Sequence, residues 1–373
     1  MDLELSAADA ALRAEAVAWL EGWLASNATA DPRLDLAWRS RYQRDAYDAG
    51  WLVPSWPLGE GGHAAGAEAE LWIKLDFARM RAPKLPNVQG PGVVAHALNT
   101  YGSEEQRAHV RAVSRGDVWW CLGMSEPQAG SDLASMRTRA RRDGDDWTID
   151  GQKVWTSHAR DSSHCLLFAR TSSDGPPHKG ISAFVVPMET AGITVAPIAK
   201  IGAQDEEFCE VFFDDVRVPA SALIGPENAG WKVAMDSLNH ERDMIWIMNL
   251  VEIEEANELT RAALLERPRP ELELEYAAVR CDAEAIWLTG VRGLASRLSG
   301  RADRETPLLK LFATETAQRA FLLARRAAGL DAPDRVSREL LVGEIEALGA
   351  TLYGGTSEIQ RNIIGERILG LPR

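Results

Sequence analysis

Between residues 119 and 225 the chain leaves helical spacing for short runs of β-branched and aromatic residues. They include "HCLLFART", "ISAFVVPM", "GITVAPI" and "EVFFDDVRVP", each bounded by Gly, Pro or Asp. Five or more such runs without a helix among them can bury their side chains only by pairing into a compact sandwich or barrel. Within this block "WTIDGQKVWT" reads as two strands joined at Asp150-Gly151, a dipeptide that suits a tight hairpin turn. Both flanks are helical in texture. "SAADAALRAEAVAWLEGWLA" opens on Ser6 as a predicted N-cap, and "RYQRDAYDAG" stops at Gly50. A Pro/Gly-rich loop follows, and helical patterns resume at "AEAELWIKLDFARM" and "SEEQRAHVRAVSRG". The expected architecture is α+β and multidomain. It has an N-terminal helical domain over residues 1–118, a middle β-barrel or sandwich domain over 119–225, and a C-terminal helical bundle over 226–373.

The bulk properties exclude several classes. A formal net charge of -14 over 373 residues argues against a general nucleic-acid or anionic-membrane surface, whose footprint is basic. No stretch reaches the ~18 apolar residues of a membrane helix, and "MDLELSAADA" has no apolar signal core. Cys121, Cys165, Cys209 and Cys281 are widely spaced, which suits reduced thiols and a cytoplasmic location. No metal site is expected: "HERDM" fails the H-E-x-x-H pattern at Met244. "GMSEP" likewise fails as a nucleophile elbow, and "GPGVVA" follows "KLPNVQ" rather than a strand, so it reads as a turn.

Two features could carry chemistry. "MSEPQAGSDLAS" is a small-residue loop entering the β block. It either links helix to strand or lets backbone N–H groups and the hydroxyls of Ser125 and Ser131 approach a polar ligand. Further on, Ala234, Leu238, Glu241, Ile245 and Met248 step by four and three and so share one helix face. A lone carboxylate on such a stripe is either a core glutamate with a polar partner or a group whose burial raises its pKa toward that of a useful base.

These motifs together resemble the acyl-CoA dehydrogenases. The pattern runs through "MSEPQAGSDLAS", "RTRARRDGDDWTIDGQKVWTSHA", "EVFFDDVRVP" and "LYGGTSEIQRNIIGERILG", in family order, and covers the chain from about residue 35 onward. The resemblance implies a flavoprotein in which FAD lies between the β domain and a C-terminal four-helix bundle. It implies that Leu122, Met124 and Ser125 line the flavin, and that Gly130 and Ser131 lie near the pyrophosphate and the pantetheine arm. Trp155 would flank the ring, with Thr156 beside it and Ser157 donating toward N5. Thr356 and Glu358 would touch the FAD of the same or a neighbouring subunit.

The family's base often follows the tyrosine of "TLYGGTSEIQRN", where this chain has Gly354. Gly354 keeps the N–H that polarises the thioester carbonyl in the family and loses only the carboxylate. A subgroup resembling the isovaleryl-CoA and long-chain enzymes carries its base in L-x-x-E-R, and "LNHER" matches. This implies Glu241 as base, with Asn239 and Arg242 near the substrate. The implied reaction is α,β-dehydrogenation of an acyl-CoA, with electrons passed to an electron-transferring flavoprotein by a homo- or hetero-oligomer.

The chain departs from the family at "ERPRPELELEYAAVR", where Glu271, Glu273 and Glu275 replace an expected FAD-binding arginine, with Arg267, Arg269 and Arg280 as the candidate substitutes. His158 follows Ser157 where a small residue is common, and reads as a surface or loop histidine. Two alternatives remain open: an FAD-poor partner subunit of a catalytic relative, and a same-fold enzyme acting on a carrier-protein thioester or with oxygen.

Overall fold

The structure, a computed structural model, describes residues 5–29, 35–201, 208–299, 304–329 and 334–372, without the side chains of 239–244, 334, 335 and 339. Three helices open the chain: α1 (Ala7–Ser26), α2 (Leu36–Asp48) and α3 (Ala67–Arg79). They meet on an aromatic core that includes Leu20, Trp23, Tyr42, Trp51 and Phe77. Ser6 caps α1 by accepting the Asp9 N–H at 3.1 Å, and the chain leaves α2 through left-handed Gly50.

"GPGVVA" is helical rather than a turn. Asn87 Oδ1 accepts the Gly90 N–H at 2.8 Å, and a π-helical stretch, Gly90–Val94, runs directly into α4 (Ala95–Tyr101). Burial of Val93, Val94, Ala97 and Leu98 drives the difference, because "VVAHAL" supplies one continuous apolar face. Short helices α5 (Glu104–Arg107) and α6 (Val110–Arg115) complete this layer.

The middle of the chain forms β1 (Trp120–Gly123), β2 (Arg139–Asp143), β3 (Asp146–Ser157), β4 (His164–Arg170), β5 (Ile181–Pro187), β6 (Ile193–Ile198), β7 (Phe208–Pro219) and β8 (Leu223–Ile224). They belong to one eight-stranded mixed sheet in the order β6-β7-β3-β2-β4-β5-β8, with β1 parallel to β4. Along β4, Cys165, Leu167 and Ala169 enter one core, shared with Trp147 and Phe184. Leu166 and Phe168 enter another, shared with Val93, Leu98 and Val113. Burial on both faces explains why β4 and β5 read as unbroken apolar runs.

Asp150-Gly151 is not a hairpin turn. β3 passes straight through it, and the turn lies at the other Asp-Gly, Asp143-Gly144, between β2 and β3. Gly151 instead marks a register shift against β7. A Cβ there would sit 2.5 Å from Thr138 Oγ1, so close approach explains the glycine. Asp150 is occupied by accepting from Asp215 N at 3.0 Å.

The last part is helical: α7 (Gly230–Glu266), α8 (Pro270–Leu298), α9 (Glu305–Ala328), α10 (Asp334–Ala350) and α11 (Ser357–Ile363). Gly290 and Gly343 let Trp246 and Phe321 lie against neighbouring backbones. The acidic run falls in the first turns of α8, where negative charge complements the helix dipole, and Glu275 also pairs with Arg326 of α9 at 2.7 Å. α7 belongs to two cores. Val233 and Ala234 pack with Leu166 and Phe168, whereas Leu250 and Ile253 pack with α8 and α9. Residues 235–249 therefore bridge the sheet and the bundle. Among the described residues no helix is long and apolar enough to cross a membrane.

Candidate active site

The small-residue loop that follows β1 is held by a buried ion pair. Lys153 Nζ lies 2.9 Å from Glu126 Oε1 and 3.0 Å from Met124 O, with both side chains almost wholly buried. Glu126 also accepts from the N–H groups of Arg137 (2.6 Å) and Thr138 (2.9 Å) and from Gln128 Nε2 (2.6 Å). Burial disfavours its charge, but the Lys153 ammonium and these donors prevail and hold its carboxyl below the usual range. Burial pulls Lys153 below an ordinary amine, against the opposing pull of Glu126. The pair closes both ends of the 126–138 loop onto β3. At the surface of that loop, Gly130 and Ser131 are exposed.

Val154 N donates to Ser125 O at 2.9 Å, so half-buried Ser125 lies against the strand that carries Trp155, Thr156 and Ser157. Leu122 is half-buried and Met124 buried in the core shared by sheet and helices. The register of β3 on β7 shifts between Lys153 and Thr156, and Trp155 sits in that shift with φ +59. Left-handed backbone at a tryptophan is strained. Its effect is to turn the indole outward, 57 % exposed, with its edge toward Phe208 at 5.9 Å. Thr156 points inward, and its Oγ1 is buried with no partner among the described residues. His158 is not a surface residue: it is 7 % exposed and packs against Trp119 at 5.1 Å in a tight turn.

The second cluster surrounds the turn after α10. Gly354 is left-handed (φ +63), a conformation that excludes larger residues without strain. A Cβ on it would lie 3.4 Å from Ile245 Cδ1 and 3.9 Å from Lys310 Cε. Among the described residues the Gly354 N–H meets no backbone carbonyl, whereas those of Leu352 and Tyr353 turn back to Gly349 O. Gln360 Nε2 donates to Gly354 O at 3.3 Å. Thr356 caps α11 by accepting from Ile359 N at 3.3 Å. Exposed Glu358 is held below the usual carboxylate range, first by its own backbone N–H and then by Thr356. Position 241 lies one helical turn before Ile245 on α7; the side chains of Asn239, Glu241 and Arg242 lie outside the described residues.

Leu122, Met124, Ser125, Trp155, Thr156 and Ser157 thus lie together around the loop, while Gly354, Thr356 and Glu358 lie together with α7 and α9. Lys153, Glu126 and Lys310 escape sequence reasoning. The one signal of the two lysines is a charged residue amid mostly apolar neighbours, in "QKVWT" and "PLLKLFA", and Glu126 stands within "MSEP". A surface cleft of about 790 Å3 between α1 and α3, with Arg13, Trp72 and Asp76 in its walls, shares none of these residues. An exposed indole beside a small-residue loop, with an orphaned hydroxyl at Thr156, fits a planar, polar cofactor such as a flavin.

The chain is similar to known proteins over most of its length. The acyl-CoA dehydrogenase middle domain matches residues 121–216 and the acyl-CoA dehydrogenase C-terminal domain matches 228–369. The chain is 35 % identical over 350 residues to acyl-CoA dehydrogenase IpdE1 of Mycobacterium tuberculosis, covering 90 % of this chain and 88 % of the relative. It is 36 % identical over 347 residues to acyl-CoA dehydrogenase FadE26 of the same organism, covering 87 % and 86 %. The ChsE4-ChsE5 complex from Mycobacterium tuberculosis matches the fold with a TM-score of 0.84 at 30 % identity, over 100 % of both chains. The Tcur3481-Tcur3483 steroid ACAD matches with a TM-score of 0.86 at 28 % identity, also over 100 % of both. With both domains matched and relatives aligned over most of their length, the chain belongs to the acyl-CoA dehydrogenases, a family of FAD-dependent oxidoreductases.

Proposed function

We propose that the chain dehydrogenates an acyl-CoA thioester to its trans-2-enoyl product, with Glu241 as the base that takes the α-proton. The observation that carries this reading is the approach of Ile245 to Gly354, 3.4 Å from Cδ1 to the Cβ position. It brings the helix that bears position 241 against the turn whose N–H meets no backbone carbonyl among the described residues. Abstracting a proton next to a thioester needs that oxygen polarised and a base at the α-carbon. Gly354 N–H serves the first need and Glu241 the second. FAD, when bound, supplies the acceptor for the β-hydride. Trp155, Thr156 and Ser157 would hold its ring, Leu122, Met124 and Ser125 its edge, and Gly130 and Ser131 its phosphates or the pantetheine arm. Thr356 and Glu358 would reach it from the bundle, and Asn239 and Arg242 would contact the substrate.

The acyl group would lie along α7. Lys84 meets Glu252 (3.6 Å) and Arg81 meets Glu255 (2.9 Å), while Val93 and Val94 share a core with Val233 and Ala234. The intervening segment therefore runs alongside residues 235–251, and Val88 and Met248 stay exposed there, at 46 % and 45 %. Such an apolar wall suits a bulky or ring-bearing acyl group, and one solved relative is described as a steroid enzyme. Electrons would leave to an electron-transferring flavoprotein. Leu341, Leu348 and Leu352 form an exposed stripe at steps of seven and four, which supports an oligomer, with itself or with a related chain.

The purified protein should show flavin absorption that bleaches on anaerobic addition of acyl-CoAs. Glu241→Gln should keep the absorption and lose bleaching by about 10²–10⁴-fold. A variant that bleaches at the parent rate removes Glu241 from the reaction, and a colourless protein that cannot be reloaded with FAD would favour the partner-subunit alternative.

A further inference from the structure

Lys310 is 1 % exposed, a charged residue buried in the middle of the bundle. A buried ammonium is costly unless something fixed in the structure uses it. Its Nζ donates to Ala350 O at 3.0 Å, at the last residue of α10. Its stem passes 3.9 Å from the Cβ position of Gly354. The same helix holds the same turn twice more. Gln318 Nε2 donates to Ala347 O at 3.2 Å and to Thr351 Oγ1 at 3.1 Å, and Glu315 pairs with Arg361 of α11 at 2.5 Å. The turn that carries Gly354 is therefore clamped on α9, and the clamp nearest the glycine is a positive charge.

We infer that Lys310 is a positioning residue for the dehydrogenation: its ammonium pins the end of α10 so that the Gly354 N–H is presented to the thioester oxygen. This rests on the proposed role of Gly354. The backbone there is left-handed glycine, and Tyr353 before it turns back to Gly349 O at 3.2 Å. Gln360 restrains the Gly354 carbonyl, and Lys310 restrains the chain upstream. A displacement of about 1 Å at a reacting group costs on the order of a hundredfold. Loss of the lysine should cost a similar factor in kcat while KM changes little.

The test is the infrared carbonyl band of acetoacetyl-CoA, labelled with 13C at the thioester carbon and bound to the FAD-loaded protein. The parent should shift this band to lower frequency. Lys310→Met, which keeps the stem, should lose most of the shift and lower kcat about a hundredfold. Lys310→Ala should recover part of both on addition of propylammonium, which a merely structural lysine would not do. If Lys310→Met keeps the full shift, the lysine does not position the donor and the inference falls, even if activity drops. If the parent shows no shift, the Gly354 donor itself fails and takes this inference with it. Should Lys310→Met melt out, the propylammonium titration of Lys310→Ala decides, and absence of rescue overturns the inference.

Discussion

Replacing Lys153 by Met would remove the cation from a pair that is 0 % and 2 % exposed in its side chains. Glu126 would keep the N–H groups of Arg137 and Thr138 and the Gln128 amide, but would lose its only charged donor in this cluster. Met124 O would lose its 3.0 Å partner as well. Breaking a buried pair on one side costs about 3–5 kcal/mol. That is a large share of the ~5–15 kcal/mol that holds a typical domain folded. Glu126→Gln should cost less, because the remaining lysine can shed its proton, a change burial already favours. The double variant should be more stable than the sum of the singles, by about 0.5–3 kcal/mol. Urea unfolding followed by Trp147 and Trp155 fluorescence measures the loss, and hydrogen exchange at Arg137 and Thr138 localises it to the loop. The pH dependence has a fixed sign. Glu126 is held below its usual range, so its contribution is present above about pH 4.5, the unfolded carboxylate's pKa, and fades as pH falls through the lower folded value. The gap between parent and Glu126→Gln should therefore narrow in acid. If Lys153→Met unfolds within 1 kcal/mol of the parent and the two amides exchange at the parent rate, the pair is not what holds the loop.

Other outcomes follow from single residues. Trp155→Ala should weaken FAD binding roughly fivefold, the equivalent of about 1 kcal/mol of stacking, and leave the melting temperature nearly unchanged, because alanine keeps the Cβ that strains a left-handed backbone and the indole is largely exposed. Fluorimetric titration of the apoprotein checks it, and unchanged affinity would remove the indole from the cofactor site. Gly354→Ala should destabilise by about 1–2 kcal/mol from backbone strain alone, since its Cβ would make only ordinary contact with Ile245. For the same reason Gly354→Glu should not restore turnover to Glu241→Gln, and recovery above a tenth of parent kcat would show that the turn tolerates a base.

Much of the architecture was legible because it rests on local rules. Strands buried on both faces announce themselves as apolar runs, and Ser6 and Gly50 mark helix ends by their own chemistry. The errors came where one signal had two possible uses. Two Asp-Gly pairs lie close together, and only the register of β3 against β7 tells the turn from the bulge. "GPGVVA" contains turn residues, yet its valines face a core formed by strands and by α7, all distant in sequence. His158 reads as exposed because nothing local reveals Trp119 against it. Lys153 and Lys310 are hidden for the same reason: a lysine goes inside only when a distant carboxylate or carbonyl waits there. Glu241 was named from its motif, and its side chain lies outside the described residues.

The bridge between Ile245 and Gly354 also has a timetable. About a hundred residues separate the two, so a ribosome adding roughly 5–20 residues per second makes one some 5–20 s before the other. Throughout that interval the sheet, the 126–138 loop and the first half of α7 can already have closed around their shared core. The apolar face of α7 that later meets α9 and the Gly354 turn has nothing yet to cover it. Chain order thus allows a stage in which the sheet is complete and the proposed site is still open to water and to chaperones. The turn on which the proposed chemistry depends arrives after the sheet and the helix that it meets.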